Sequence, residues 1–206
     1  MLRLDHVVYA VPDLDDAAVR FRGEFGLDST EGGRHDRWGT ANRIVPLGDQ
    51  YLELVAVVDE PVAAETAFGR GVLERAAGGG WFTVAAVADD LDAVASRLGI
   101  EIGSGSRTRP DGQTVRWRMA GLDDPRREAW MPFFLTWDIS DELHPGRARA
   151  GHGVRATGLA WVEVGGDAER LRTWLGGDEL PIRVTHEKPG IHRVAISTPD
   201  GELVIE

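Results

Sequence analysis

The segment His6–Leu27, HVVYAVPDLDDAAVRFRGEFGL, contains a short apolar strand, an aspartate-rich turn and an amphipathic helix that ends at a glycine. The segment Phe82–Ile100, FTVAAVADDLDAVASRLGI, repeats the same order in a slightly shorter form. A weaker third copy begins with a strand at Leu159–Val164 and continues as a helix to Gly176. Repetition on this scale is typical of one supersecondary unit used several times, so it predicts a molecule built from repeated modules.

Each copy is followed by further apolar segments, which extend the predicted unit to βαβββ. In the first unit we predict a strand pair within Arg37–Pro46 and a strand at Gln50–Val57, and the helical spacing of Val62–Ala77 predicts a linker helix. The sequence therefore predicts an α+β fold with two paired βαβββ modules and a third, partial module. The expected boundaries are 1–60 for the first module, 61–80 for the linker helix and glycine hinge, 81–139 for the second module, 140–154 for a surface linker, and 155–206 for the third module.

Composition excludes several classes of protein. The chain has 206 residues, 42% hydrophobic content and no cysteine, so it can bury a core without disulfides or thiolate ligands. A net charge of −11 argues against nucleic acid as a partner, because phosphate backbones require a basic surface. No segment has the length and apolarity of a signal peptide core or a membrane span, so we expect a cytoplasmic protein that does not bind membranes.

Several short phrases accompany the repeated unit, and together they resemble one protein family. The phrases are Leu4–Val8, Gly39–Asn42 with His35 before it, Tyr51–Leu54, Arg109–Gly112 and Pro132–Trp137. With the repeated βαβββ order they resemble the vicinal oxygen chelate superfamily, which includes glyoxalase I, extradiol dioxygenases and bleomycin-resistance proteins. Within that superfamily the phrases are most similar to the glyoxalase-like domain group.

The resemblance implies a cavity and a candidate metal site. In the superfamily, paired units curl into an open barrel, and a divalent metal inside it binds two neighbouring oxygens of the substrate. The ligands come from the first and last strands of each unit, positions that His6 and Glu53 match here. An imidazole and a carboxylate suit Fe, Mn, Zn, Ni or Co. Members of the superfamily often pair units across a dimer, so a homodimer is also expected.

The second unit departs from this pattern, since Phe82 stands at the position of His6 and Pro132–Thr136 contains no carboxylate. His6 and Glu53 are thus half of a metal site, which would need a further histidine: His35, His144, His152 or His192. A hydrogen-bonded histidine and carboxylate without metal, or a metal-free acid–base pair, are the alternatives. A bound divalent metal and no cofactor are therefore equally compatible with the sequence. His144 and His152 lie in a segment rich in glycine and arginine, where two exposed histidines are the favoured interpretation.

Other residues are candidates for contact with substrate. His35, Thr40, Asn42 and Tyr51 could lie at the barrel mouth and bind a ligand, or the first three could belong to an ordinary polar hairpin. A locally basic segment offers Arg109, Arg116 and Arg118. The last two share one face of their strand and would hold an anion if that face pointed into the barrel, or form a surface row if it pointed outward.

Taken together, these features predict a glyoxalase-like enzyme that acts on a small, oxygen-rich organic molecule, neutral or anionic. His6 and Glu53 are the predicted catalytic residues, and the reaction would be of the lyase, isomerase or dioxygenase type. The alternative is a metal-free protein that binds or sequesters a small molecule, as bleomycin-resistance relatives do.

Overall fold

The first unit contains a helix, α1 (Leu14–Phe25), whose two ends are set by the sequence. The computed structural model describes residues 1–206. Asp13 accepts hydrogen bonds from the backbone N–H groups of Asp15 and Asp16, and Gly26 ends the helix in the left-handed conformation with φ of 67°. The elements of this unit are β1 (Leu2–Ala10), α1 (Leu14–Phe25), β2 (Thr30–His35), β3 (Thr40–Pro46) and β4 (Tyr51–Val57).

The strand pair of this unit begins earlier than the sequence predicted. The prediction placed the pair within Arg37–Pro46, whereas β2 starts at Thr30 and includes Gly32 and Gly33. A 3₁₀ turn at Asp36–Trp38 separates β2 from β3. Glycine pairs are typical of turns, but Gly32 and Gly33 lie inside a strand at a position where neighbouring side chains and the backbone of Thr108 take up the space that a Cβ atom would need.

The linker contains two helices, α2 (Glu60–Glu65) and α3 (Ala67–Ala76), where the sequence predicted a single one. Thr66 has extended backbone angles, and its hydroxyl accepts a hydrogen bond from the N–H of Gly69. Thr66 therefore ends α2 and caps the N-terminus of α3. Threonine is favoured at such N-cap positions because its hydroxyl can accept a backbone hydrogen bond.

The second unit repeats the first and joins it in a closed eight-stranded barrel of order β1-β4-β3-β2-β6-β7-β8-β5. In both units the first strand pairs in parallel with the last, so that His6 lies opposite Tyr51. The units join along most of β1 and β5, but β2 and β6 meet only at Arg34 and Thr108. The elements of the second unit are β5 (Gly80–Ala88), α4 (Leu91–Leu98), β6 (Ile102–Thr108), β7 (Thr114–Ala120) and β8 (Phe133–Trp137).

The third unit repeats the order of elements but not the pairing of strands. Its first strand, β9, is central in a sheet of order β10-β9-β11-β12, where it runs parallel to β10 and antiparallel to β11. It therefore does not form another half of a barrel, and β10 has no counterpart among the predicted strands. The elements are β9 (Gly158–Gly165), α5 (Ala168–Leu175), β10 (Ile182–Thr185), β11 (Gly190–Thr198) and β12 (Gly201–Ile205).

The barrel strands separate two apolar clusters, because their side chains alternate between the two faces. Val8, Val55 and Trp117 belong to a cluster of 14 buried residues that includes the barrel interior. Val7 and Leu54 face the other way, into a cluster of 32 buried residues that extends through α1, α4, α5 and the third sheet. The inner cluster surrounds the polar groups described below. None of the helices has the length and apolar character needed to cross a membrane.

Candidate active site

A narrow cavity of about 30 Å³ lies inside the barrel. Five polar side chains line it, all of them buried: His6, His35, Asn42, Glu53 and Arg107. Its apolar lining includes Trp38, Phe68, Trp117, Phe133 and Leu135. The polar groups come mostly from the first unit, whereas the second unit supplies aromatic side chains and one arginine.

A β-bulge brings Asp5 to His6. Along the β1–β5 ladder Leu4 pairs with Ala86 and His6 pairs with Ala85, so Asp5 is an extra residue without a partner. Strict alternation would place Asp5 and His6 on opposite faces of the sheet, but the bulge allows the Asp5 carboxylate to lie 2.6 Å from His6 Nδ1. The sequence interpretation did not include Asp5 in the site, because a bulge leaves no clear pattern in a single strand.

The Asp5 carboxylate is ionised and fully engaged. Besides His6, it accepts hydrogen bonds from Trp137 Nε1 and His144 Nε2, each over 3.1 Å. Burial raises the pKa of Asp5, but the hydrogen bonds from His144 and His6 outweigh it and lower that pKa to about 2. The interpretation of His144 as an exposed loop residue is wrong, since its side chain is only 13% exposed and holds Asp5 in place.

The contact with Asp5 fixes the tautomer of His6. Because the ionised carboxylate can only accept, Nδ1 of His6 carries the proton and Nε2 points the other way. His6 Nε2 lies 3.6 Å from Glu53 Oε2. The ring of Tyr51 stacks on the imidazole at 4.4 Å between centroids, which restricts its rotation. The structure thus brings the two predicted catalytic residues together at the cavity.

Asn42 and His35 complete the surroundings of Glu53. Asn42 Nδ2 donates to Glu53 Oε1 over 2.6 Å, and His35 Nε2 lies 3.9 Å from the same oxygen. His35 Nδ1 is 3.1 Å from the Thr40 hydroxyl. Burial lowers the pKa of His35 to about 4, an effect that the charge of Glu53 opposes and that of Arg107 reinforces. His35 is therefore neutral at physiological pH, and the polar-hairpin alternative does not describe these buried residues.

Tyr51 remains protonated in this setting. Burial raises the pKa of its phenol well above the ordinary value, and the negative charges of Asp5 and Glu53 act in the same direction. Tyr51 can therefore donate a hydrogen bond from the cavity wall, but it cannot serve as a base near neutral pH.

The three arginines predicted to bind an anion lie outside this cavity. Arg116 and Arg118 are exposed on the outer face of β7, while Trp117 between them points inward. Arg118 pairs with Asp92, and Arg109 pairs with Asp111 in the β6–β7 hairpin. Of the two alternatives for Arg116 and Arg118, the structure has the surface row, because the apolar residues of β7 take the inner face. Arg107 is the inward-facing arginine; it lies opposite Val115, whose apolar character was the available signal.

The cavity has the donor types of a metal site but not its arrangement. Two imidazoles and a carboxylate would suit a divalent transition metal. However, no three histidine, aspartate or glutamate side chains are grouped with the spacing of a metal site. Glu53 Oε1 is also occupied by the amide of Asn42. His152 and His192 are remote: they contact the backbone carbonyls of Pro46 and Lys188, respectively.

A wider groove lies on the other side of Asp5. It has a volume of about 670 Å³, and its walls include Gln50, Trp137, His144 and Leu180. The groove contains none of the His6, Glu53 and Arg107 side chains. The narrow cavity, where imidazole, carboxylate and guanidinium groups converge, is therefore the candidate site.

Comparisons with known proteins support the family assignment. The chain matches the family profile described as "Glyoxalase-like domain" over residues 4–180. A comparison with functionally curated proteins gave no match. The crystal structure of a hypothetical protein from Staphylococcus aureus aligns with 99% of this chain and 84% of its own, with a TM-score of 0.66 and 17% identity. This similarity shows the fold, including the region of the third unit.

Methylmalonyl-CoA epimerases are also among the similar structures. The enzyme from Mycobacterium tuberculosis covers 64% of this chain and 85% of its own, with a TM-score of 0.46 and 24% identity. An epimerase in complex with methylmalonyl-CoA and NH4+ covers 68% and 96%, with a TM-score of 0.49 and 20% identity. Similarity this low does not transfer an activity. The family profile covers most of the sequence, and the chain belongs to the glyoxalase-like domain family.

Proposed function

We propose that this protein is an enzyme that moves a proton on a small, oxygen-rich, anionic organic molecule held in the barrel, in a reaction of the isomerase or lyase type. The observation that carries the proposal is the buried pair of His6 and Glu53, whose nitrogen and oxygen face each other at 3.6 Å. Asp5 fixes the histidine tautomer that presents an unprotonated nitrogen to the cavity. This is the arrangement that a general base needs.

The contact between His6 Nε2 and Glu53 Oε2 is favourable when the two atoms share one exchangeable proton. An unprotonated Nε2 and an ionised carboxylate both present lone pairs, so they attract each other only when a proton or another cation lies between them. In the proposed reaction His6 Nε2 accepts a proton from a carbon next to a carbonyl group, and the Asp5 carboxylate stabilises the resulting imidazolium. In the reactive form the shared proton resides on Glu53 Oε2, which returns it to the carbanion, so one proton leaves the substrate and one is restored. Asn42 holds the other oxygen, Oε1, in place.

Of the three predicted reaction types, a dioxygenase reaction has less support than an isomerase or lyase reaction. It would depend on a metal ion of the Fe, Mn, Zn, Ni or Co type, with His6 and Glu53 among its ligands. Because the side chains are not grouped as a three-ligand site, we derive no step through a metal. Elemental analysis of the purified protein, with activity measured on catechols and methylglyoxal–glutathione adducts with and without divalent metal, tests this form separately.

The acid–base proposal is tested by proton exchange. The protein is incubated in D₂O with a panel of small 2-oxo and 1,3-dicarbonyl carboxylic acids, and loss of the C–H signal is followed by ¹H NMR. We expect catalysed exchange for a subset, reduced by roughly 100-fold or more in His6→Gln and in Glu53→Gln. His192→Gln, in the third unit, is the matched control and should retain full activity. Unchanged exchange in Glu53→Gln would contradict the proposal.

A second candidate, a binding protein without catalysis, is favoured by the form of the cavity. Its volume is about 30 Å³, and aromatic side chains make up much of its wall. Aromatic walls of this kind can hold a ligand without any chemistry. Tight binding of a panel compound, measured by calorimetry, together with no exchange and no metal-dependent turnover, would support sequestration and exclude the acid–base proposal for that compound.

A further inference from the structure

Two arginines point into the interior, Arg107 buried and Arg127 partly buried, and only Arg127 has a structural explanation. Arg127 donates from all three of its nitrogens to the carbonyls of Gly121, Leu122 and Met131 and to the hydroxyl of Thr83. Its guanidinium is surrounded by acceptors that hold the segment before β8. Arg127 shows how this chain satisfies an arginine whose role is to support the fold.

Arg107 is buried without such partners. Its side chain lines the cavity and is only 6% exposed, yet its one hydrogen bond joins Nη1 to Asn42 Oδ1 over 3.4 Å. Arg107 Nε is buried and has no partner at all. The charge of Glu53 acts on Arg107, but the two side chains form no direct ion pair, because Asn42 stands between them. A buried cation without a direct counter-ion is costly, so its presence points to a ligand that supplies one.

The sequence makes room for this arginine. A Cβ atom on Gly32 would lie 2.1 Å from Asn42 Oδ1 and 2.9 Å from Arg107 Nη1. A Cβ atom on Gly33 would lie 2.9 Å from Arg107 Cγ and 2.1 Å from the carbonyl oxygen of Thr108. Both glycines of β2 therefore leave space that the Arg107 and Asn42 side chains occupy. The space that holds Arg107 is therefore built into the backbone of the barrel wall and does not depend on movement of neighbouring side chains.

Asn42 connects the arginine to the acid–base pair. Its amide nitrogen donates to Glu53 and its amide oxygen faces Arg107, so the two ends of the amide are fixed by opposite requirements. The side chains come from neighbouring parts of the barrel wall: Glu53 from β4, Asn42 from β3 and Arg107 from β6. His6, on the adjacent strand β1, lies beside Glu53. A ligand in this cavity would have the proton-transfer pair at one end and the free guanidinium at the other.

We propose that Arg107 binds the carboxylate of the substrate and that the substrate is a short carboxylic acid whose reacting carbon lies close to its charged group. This inference rests on the proposed function for the reacting end, and it assigns the anion-binding role to Arg107. A planar guanidinium with unused N–H donors suits a carboxylate, which can accept two of them. The narrow cavity favours a ligand with few atoms between the charge and the reacting carbon.

The test uses pyruvate and its neutral isostere pyruvamide as probes. Their dissociation constants are measured by calorimetry or ligand-observed NMR for the wild type, Arg107→Met, Arg107→Lys and the surface control Arg116→Met. We expect the wild type and Arg116→Met to bind pyruvate at least tenfold more tightly than pyruvamide, because a hydrogen bond between two charged groups is stronger than one to a neutral amide. Arg107→Met should lose this preference, and Arg107→Lys should retain part of it.

A measurement without ligand supports the same distinction. Replacing an uncompensated buried cation with an apolar side chain of similar length should leave the melting temperature of Arg107→Met unchanged or raise it. Arg127→Met should lower the melting temperature, because it leaves several carbonyls without donors. Equal lowering in the two variants would show that Arg107 is a structural residue and would overturn the proposal.

The other results are equally decisive. Any of three binding results would overturn the role of Arg107: unchanged binding of pyruvate by Arg107→Met, equal binding of the two probes by the wild type, or no binding of either probe. Absence of catalysed exchange in the wild type, combined with pyruvate binding that depends on Arg107, would instead overturn the proposed function and leave the anion site standing.

Discussion

Asp5 fixes the tautomer and the orientation of its neighbour His6. Without the carboxylate, the His6 ring could adopt either tautomer and turn about its side-chain bonds. With it, Nδ1 is held as a donor and Nε2 is directed to Glu53. The same carboxylate also takes hydrogen bonds from Trp137 of β8 and from His144 of the segment after it. The orientation of the proposed base therefore depends on residues far apart in the chain.

The buried, neutral His35 should make stability depend on pH. Its pKa is about 4 in the folded protein against 6.5 for an ordinary histidine. Between these values the unfolded chain binds a proton that the native protein does not, so the free energy of unfolding falls as pH decreases, by about 1.4 kcal/mol per pH unit for this group. Above pH 6.5 both states are neutral, and the full stability is present.

We therefore expect His35→Asn to flatten the pH dependence of unfolding between pH 6.5 and 4. Asparagine can keep a hydrogen bond to Thr40 but does not titrate. Urea denaturation at several pH values in this range measures the slope, with His192→Asn as the control. Parallel stability curves for the wild type and His35→Asn would contradict the neutral state of His35.

Helix α1 shows an element whose stability depends on its first residue. The Asp13 carboxylate accepts from two backbone N–H groups, over 2.8 and 2.9 Å. Asp13→Ala should lower the free energy of unfolding by about 1 kcal/mol, since both N–H groups lose their partner. Asp16→Ala, in the same turn, changes a carboxylate that caps nothing and should cost a few tenths of that amount. Chemical denaturation distinguishes the two, and equal losses would refute the capping role.

At this scale, the elements with local signals were predicted well. The α+β class and the helices α1 and α4 follow from periodicity, the glycines at their ends and the resemblance. The early start of β2 and the presence of β10 were missed, because Gly32 and Gly33 are typical of turns and β10 is short. The inward position of Arg107 was missed because it depends on the register of β6 against β7.

The whole molecule is joined by one extended core. Trp174 of α5 stacks on Phe134 of β8 at 5.8 Å, and its indole nitrogen donates to the carbonyl of Pro132 over 2.8 Å. The third sheet and the barrel helices share a single apolar cluster. We therefore interpret the third unit as an integral layer of the fold, although its strand order differs from that of the barrel units.

If the layers are integral, Trp174→Ala should destabilise the entire protein by about 3–5 kcal/mol. Unfolding followed by far-UV circular dichroism and by tryptophan fluorescence should give one coincident transition in both proteins, shifted to lower denaturant in the variant. A separate early transition, with the barrel signal unchanged, would show that the third unit unfolds by itself.

The two seams of the barrel are unequal, and this has a consequence for access to its interior. One seam is held along most of β1 and β5, whereas the other is a single residue pair between β2 and β6. Thermal motion breaks the shorter ladder first, because fewer hydrogen bonds oppose it. Arg107 is next to that weak seam. We expect the backbone amide hydrogens of the β2–β6 seam to exchange with solvent faster than those of β1. Such opening would make the weak seam the entrance for an anion.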